Sequence, residues 1–212
     1  MLDAMHVKKP KHFSMLRSFA LADFVTIGNG FAGAGAILAL MQYLLTSNRT
    51  LLWLAFSLFP IALVLDFADG RIARWRQKSS ALGADLDSLA DVISFGMAVA
   101  ALGFACGLRG ALDAPVLLFF VACGISRLAR FNVTAQSMAD ETGKVKYFEG
   151  APIPSSLLLV AVLAVCTGLG RINDALPLGV VEVGSLTFHP LVILYAIVGS
   201  AMISKTLHIP KI

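Results

Sequence analysis

A chain of 212 residues that is 58% apolar by side chain, only 14% charged and of mean hydropathy +0.81 is no ordinary soluble domain, because soluble chains carry about 25% charged residues. A membrane-spanning helix takes about 20 predominantly apolar residues, so the composition calls for a bilayer and leaves no room for a large water-soluble domain. The net charge of +4 and pI near 9.1 raise the question of nucleic acid, but the basic residues are scattered among the flanks of apolar runs, so no nucleic-acid partner is expected.

In chain order, residues 1–17 hold Lys8, Lys9, Lys11 and Arg17 beside Phe13 and Leu16, the pattern of a short cytoplasmic segment lying along the membrane surface. Six apolar runs follow, at about Ser18 to Leu45, Leu51 to Phe67, Leu86 to Gly107, Ala111 to Leu128, Pro152 to Gly170 and Leu186 to Ser204. They predict an all-α membrane protein, a bundle of six transmembrane helices over residues 18–205, with a tail at 206–212. The first run is too long for the apolar core of a cleavable signal and is expected to stay as a helix.

Fourteen of the 17 basic residues fall in the N-terminal segment, in the connections after the second and fourth runs, and after the sixth. The remaining connections hold only Arg49, Arg109 and Arg171. By the positive-inside rule both termini face the cytoplasm.

Several patterns carry little chemistry. Cys106, Cys123 and Cys166 lie in apolar segments without paired spacing, and the four histidines form no ligand pair at helical spacing. Gly28, Gly30 and Gly33 satisfy G-x-G-x-x-G, but a dinucleotide site needs a strand before the glycines. Inside an apolar helix, alongside Ala32, Ala34, Gly35 and Ala36, they read as a small-residue face for close helix packing. The glycosylation sequons at Asn48 and Asn132 are matches of a kind common by chance.

The acidic residues are different. Five of the 13, namely Asp66, Asp69, Asp85, Asp87 and Asp91, crowd into 26 residues at the junction of the second and third helices. A carboxylate at the centre of a membrane helix costs roughly 2.5–3.5 kcal/mol on insertion scales, and like charges at helical spacing add repulsion. Asp66 and Asp69 are spaced i, i+3 and Asp87 and Asp91 i, i+4, so each pair shares a helix face and four carboxylates can converge. Their natural counter-charge is a divalent cation. Hard oxygen ligands suit Mg²⁺ or Mn²⁺, and Mg²⁺ commonly shares its remaining positions with substrate phosphates. Gly70 allows close backbone approach, and Arg74, four residues on, offers a planar guanidinium to a phosphate.

Asp66, Asp69, Gly70, Ala73, Arg74, Gly83, Asp87 and Asp91 stand at the spacing D-x2-D-G-x2-A-R-x8-G-x3-D-x3-D. In this the chain resembles the CDP-alcohol phosphotransferases, a family whose six-helix membrane domain agrees with the predicted runs. The resemblance implies that Asp66, Asp69, Asp87 and Asp91 surround one or two metal ions, with the pyrophosphate of a CDP-lipid bound against them. It further implies that Asp91 is the base, and that Gly70, Arg74 and Gly83 lie at the nucleotide. Ser80, in the connecting loop, is a further candidate for a phosphate. Asp85 falls outside the motif and is left as a solvated or supporting charge. The implied reaction replaces CMP on CDP-diacylglycerol by an alcohol.

The motif does not encode the alcohol. Arg127 and Arg130, i, i+3 near the end of the fourth run and followed by Phe131 and Asn132, suit a carboxylate or a phosphate, and they also suit snorkelling membrane anchors. The segments Asp91 to Gly96, Arg127 to Val133 and Tyr147 to Ser155 resemble the integral-membrane phosphatidylserine synthases of the family, with Met97-Ala98-Val99 departing from the usual Val-Ala-Pro. This branch implies L-serine as acceptor, with Arg127 or Arg130 at its carboxylate and Phe131, Asn132 and Glu149 in its pocket. The neighbouring readings are glycerol phosphate, inositol phosphate or choline as acceptor. A cation transporter fits poorly, since the acidic pairs sit at the cytoplasmic interface and no matching acidic half is present. Small-residue helix faces and the family analogy favour a homodimer among membrane lipids.

Overall fold

The computed structural model describes residues 21–76, 81–139, 147–204 and 208–210. The proposed interfacial segment at 1–17, Ser80 and most of the C-terminal tail lie outside them. Helix α1 spans Leu21–Thr46 and α2 Arg49–Arg76. Helix α3 runs through Ala81–Asp91, a wide turn with i→i+5 bonding over Val92–Met97, and Ala98–Cys106. Helix α4 is Asp113–Ala139, α5 is Leu157–Gly168 and α6 is Ile193–Ile203, the last two each opened by a 3₁₀ turn, Ile153–Ser156 and Pro190–Val192.

Six apolar helices are therefore present, but of two lengths. Leu21–Thr46, Arg49–Ile72, Leu82–Cys106 and Asp113–Thr134 are long and apolar enough to cross a membrane. Ile153–Gly168 and Pro190–Ile203 have between 10 and 17 residues, at most about 26 Å at 1.5 Å per residue, against a hydrocarbon core of about 30 Å. Large apolar side chains cover the outside, with Phe31 at 74%, Leu118 at 68% and Leu158 at 68% exposure. The protein is an integral membrane protein, because in water such a surface would be an aggregation site.

The sequence did not announce the strands. Strand β1 (Tyr147–Glu149) pairs antiparallel with β4 (His208–Pro210), Tyr147 opposite Pro210. Strands β2 (Val181–Val183) and β3 (Leu186–Phe188) form a hairpin with Val181 opposite Phe188. The all-α expectation is corrected to that extent, and the sixth run loses its first residues to the hairpin. The reason is local: Val181 to Phe188 alternates apolar and polar residues around Gly184, whose φ of +64° suits a tight turn. Pro190 then fits a helix's first turn.

Helix α1 packs along α2 and the first half of α3, while α4 packs against α6. Ala36, Leu52, Ala55, Phe95, Ala98, Val99 and Leu102 are wholly buried between them. The small-residue face of α1 makes the closest approach. A Cβ on Gly33 would lie 2.6 Å from Ser94 Cα, so only glycine lets α1 reach the wide turn of α3. This is the packing role read from G-x-G-x-x-G, whose glycines lie within the helix Leu21–Thr46.

The two ends of the bundle differ in chemistry. At one end the last third of α2 comes close to the start of α3, bringing Asp66 and Asp69 beside Asp87. At the other, Asp113 opens α4 and accepts hydrogen bonds from Gly110 N–H (2.7 Å) and His189 N–H (2.9 Å), with His189 Nδ1 at 2.6 Å. Beside it the Arg109 guanidinium donates to the carbonyls of Phe104 and Ala105, both at 2.9 Å, capping the end of α3.

Candidate active site

Asp66 and Asp69 project from one face of α2 and Asp87 from the second turn of α3. Each offers a carboxylate oxygen, and the three oxygens lie within 4.8 Å of one another. Asp69 is 5% exposed, and Asp69 Oδ2 and Asp87 Oδ1 are buried without a hydrogen-bond partner. At such a separation each ionised pair repels by roughly 3 kcal/mol at an effective dielectric near 20. The Arg127 guanidinium lies within electrostatic reach of Asp66 and offsets part of this repulsion.

The orphaned oxygens and the convergence of three hard donors are what a divalent cation requires. The residues present fit one. Gly70 follows Asp69, is exposed and has nothing within 4 Å of where a Cβ would stand, so the approach to the carboxylates is open there.

Asp91 stands apart from the three. It is 6% exposed, within electrostatic reach of Asp66, Asp87 and Asp69, and its Oδ1 accepts a hydrogen bond from Asn29 Nδ2 at 3.2 Å. The structure thus groups three of the four motif aspartates and holds the fourth against α1. Thr26, one turn before Asn29, comes within hydrogen-bonding reach of Asp69, so α1 forms a third wall of the site. Asn29 and Thr26 were missed in the sequence, where they sit inside the small-residue face. The signal was there all the same, since a polar amide among glycines and alanines in an apolar span asks for a partner.

The candidate acceptor residues separate. Arg127, half-buried on α4, lies within electrostatic reach of Asp91 and Asp66, with its guanidinium 5.4 Å from the centroid of Phe131. Arg130, one turn further on, donates instead to the Ile203 carbonyl at the end of α6 (3.4 Å). Asn132 Nδ2 donates to Ser88 Oγ at 3.0 Å, which fixes α4 to α3 between Asp87 and Asp91. Glu149 is on β1 opposite His208. Arg74 is in the last turns of α2, one helical turn after Gly70, and Gly83 is half-buried in the first turn of α3.

Three carboxylates gathered by two helices form a cluster that could hold a metal ion, with a fourth held beside them and an arginine within electrostatic reach, inside a bundle of membrane helices. Residues 19–202 match the family model for CDP-alcohol phosphatidyltransferase, and the chain belongs to that family. More particularly, it is 45% identical over 203 residues to CDP-diacylglycerol–serine O-phosphatidyltransferase of Saccharomyces cerevisiae, covering 94% of this chain and 74% of that protein. Enzymes of the same name from Methanocaldococcus jannaschii and Bacillus subtilis are 33% and 32% identical, over 76% and 66% of this chain and 75% and 72% of theirs.

Proposed function

We infer that the protein transfers the phosphatidyl group of CDP-diacylglycerol to the hydroxyl of L-serine, giving phosphatidylserine and CMP. The observation that carries this is the 45% identity, over 94% of the chain, to a relative named for that reaction, in a chain that keeps all eight motif positions.

Asp66, Asp69 and Asp87 would hold the divalent ion, with Asp91 completing its surroundings. When bound, Mg²⁺ or Mn²⁺ neutralises the pyrophosphate and polarises the phosphorus under attack. The remaining work falls to side chains. Asp91 takes the proton of the serine hydroxyl as that oxygen bonds to the lipid-side phosphorus. The bond from that phosphorus to CMP breaks, and CMP leaves with the bridging oxygen. Gly70 leaves room for the pyrophosphate, while Arg74, Gly83 and Ser80 bind the nucleotide end. Arg127 reads the serine carboxylate, Phe131 holds the Arg127 guanidinium in place by its ring face, and Arg130, Asn132 and Glu149 shape the pocket around it.

The membrane arrangement follows from the charges. All six apolar helices cross the bilayer, the two short ones with help from their flanking turns, and both termini and the acidic end face the cytoplasm, where the basic residues concentrate. The lipid tails then stay in the bilayer while nucleotide and serine arrive from water. The protein works as a homodimer, with residues 18–205 as its membrane domain. The test is purified protein with CDP-diacylglycerol, Mg²⁺ or Mn²⁺ and each of serine, glycerol phosphate, inositol phosphate and choline. CMP release and the lipid product should appear with serine, and a preference for any other acceptor refutes the assignment.

A further inference from the structure

We propose that Asn29 is the positioning residue for Asp91, an inference that rests on Asp91 being the base. Asn29 is wholly buried, between Thr26 one turn before it and the buried Ala32 and Gly33 one turn after. Its Nδ2 donates to Asp91 Oδ1 across 62 residues of sequence, and its backbone carbonyl accepts the Ser94 hydroxyl at 2.9 Å. One residue thus grips α3 just before the wide turn, at Asp91, and inside it, at Ser94. The turn matters because i→i+5 stretches inside α-helices occur often at functional sites, and this one starts next to the proposed base.

The hydrogen bond assigns the carboxylate oxygens. An ionised carboxylate only accepts, so the amide must turn its NH₂ toward Asp91. With Oδ1 engaged by that N–H, Oδ2 is the oxygen left for the proton of the acceptor hydroxyl. Packing alone does not account for asparagine here. Its Oδ1 is buried with no hydrogen-bond partner, which costs about 1–3 kcal/mol, whereas an apolar side chain of similar size would carry no such cost. The close approach that permits the bond is set by Gly33 against Ser94.

The decisive variants are Asn29→Leu, which keeps the branched shape and removes the donor, and Asn29→Gln, which keeps an amide. They are measured beside Asp91→Asn in detergent-purified protein. Asn29→Leu should lower kcat 10- to 100-fold, as expected when a reacting group is misplaced by about 1 Å. KM for CDP-diacylglycerol and serine, and the Mn²⁺ concentration giving half-maximal thermal stabilisation, should stay within about twofold. Asn29→Gln should recover at least threefold over Asn29→Leu. If Asn29→Leu does not fold, Asn29→Ser, whose hydroxyl is too short to reach Asp91, is read by the same criteria. A kcat within twofold of the parent, equal losses in the leucine and glutamine variants, or a loss confined to KM overturns the inference. The two failures are distinguishable, because an active Asp91→Asn removes the base itself, whereas an inactive Asp91→Asn with fully active Asn29→Leu removes only the role of Asn29.

Discussion

Each end of the bundle buries acidic side chains, and they are treated in opposite ways. Asp113 is wholly buried, yet both its oxygens are used, by two backbone N–H groups and by His189. Its carboxylate is a knot that ties the loop before α4 to the start of the last apolar helix. At the acidic end, Asp66, Asp69 and Asp87 crowd within 4.8 Å, and two of their oxygens have no partner at all. A buried carboxylate that is fully bonded stabilises the fold, while several that repel one another and keep unbonded oxygens could hold a cation. Burial alone does not separate structure from function here; the count of satisfied oxygens does.

The sharpest way to break this contrast is to remove the cation. Chelation with EDTA should reduce CMP release to background, Mg²⁺ or Mn²⁺ should restore it, and the helical circular dichroism should not change. Activity that survives exhaustive chelation would put the acidic end in the same class as Asp113. Next in size, Asp91→Asn should lower turnover by about 10²- to 10⁴-fold, the usual contribution of a general base, while the protein still inserts and purifies as the parent does.

A third experiment concerns the two arginines. Arg127→Ala should raise the serine KM about 10- to 100-fold, the equivalent of a charge-assisted hydrogen bond of about 1.5–3 kcal/mol, with CDP-diacylglycerol binding retained. Arg130→Ala should move it less, because Arg130 is committed to the Ile203 carbonyl, and unchanged serine dependence in both would detach this region from the acceptor. The smallest effect on catalysis belongs to the other end. Asp113→Ala leaves two buried N–H groups without partners, so it should lower the melting temperature measurably while kcat per folded molecule stays within about twofold. A large loss of kcat at unchanged stability would show that the two ends are coupled.

Much of the site was legible because it is written in short-range spacing. Asp66 with Asp69, and Asp87 with Asp91, are neighbours on their own helix faces, and a helix period alone brings each pair to one side. The contacts from α1 and α4 were not legible in the same way. Nothing in the linear order says that Asn29 meets Asp91 or that Ser88 meets Asn132, since those pairs form only when helices distant in sequence pack. The split between Arg127 and Arg130 was equally hidden. Their i, i+3 spacing makes them look equivalent, and the difference lies in what each faces, the carboxylates for one and the end of α6 for the other. Strands β1 and β4 pair across about 60 residues of chain, a register that no local pattern of three residues can specify.

By itself, then, the sequence determined the solvent, the apolar helices and the acidic motif, because hydropathy and helical periodicity act over a few residues at a time. Tertiary structure alone decided which three aspartates share a centre, that Asp91 is held by α1, and that two of the six apolar helices fall short of the bilayer's thickness. It also decided that both oxygens of Asp113 are bonded. Those outcomes depend on where separate helices stop and how closely they approach, and Gly33 against Ser94 sets one such distance by the absence of a single side chain.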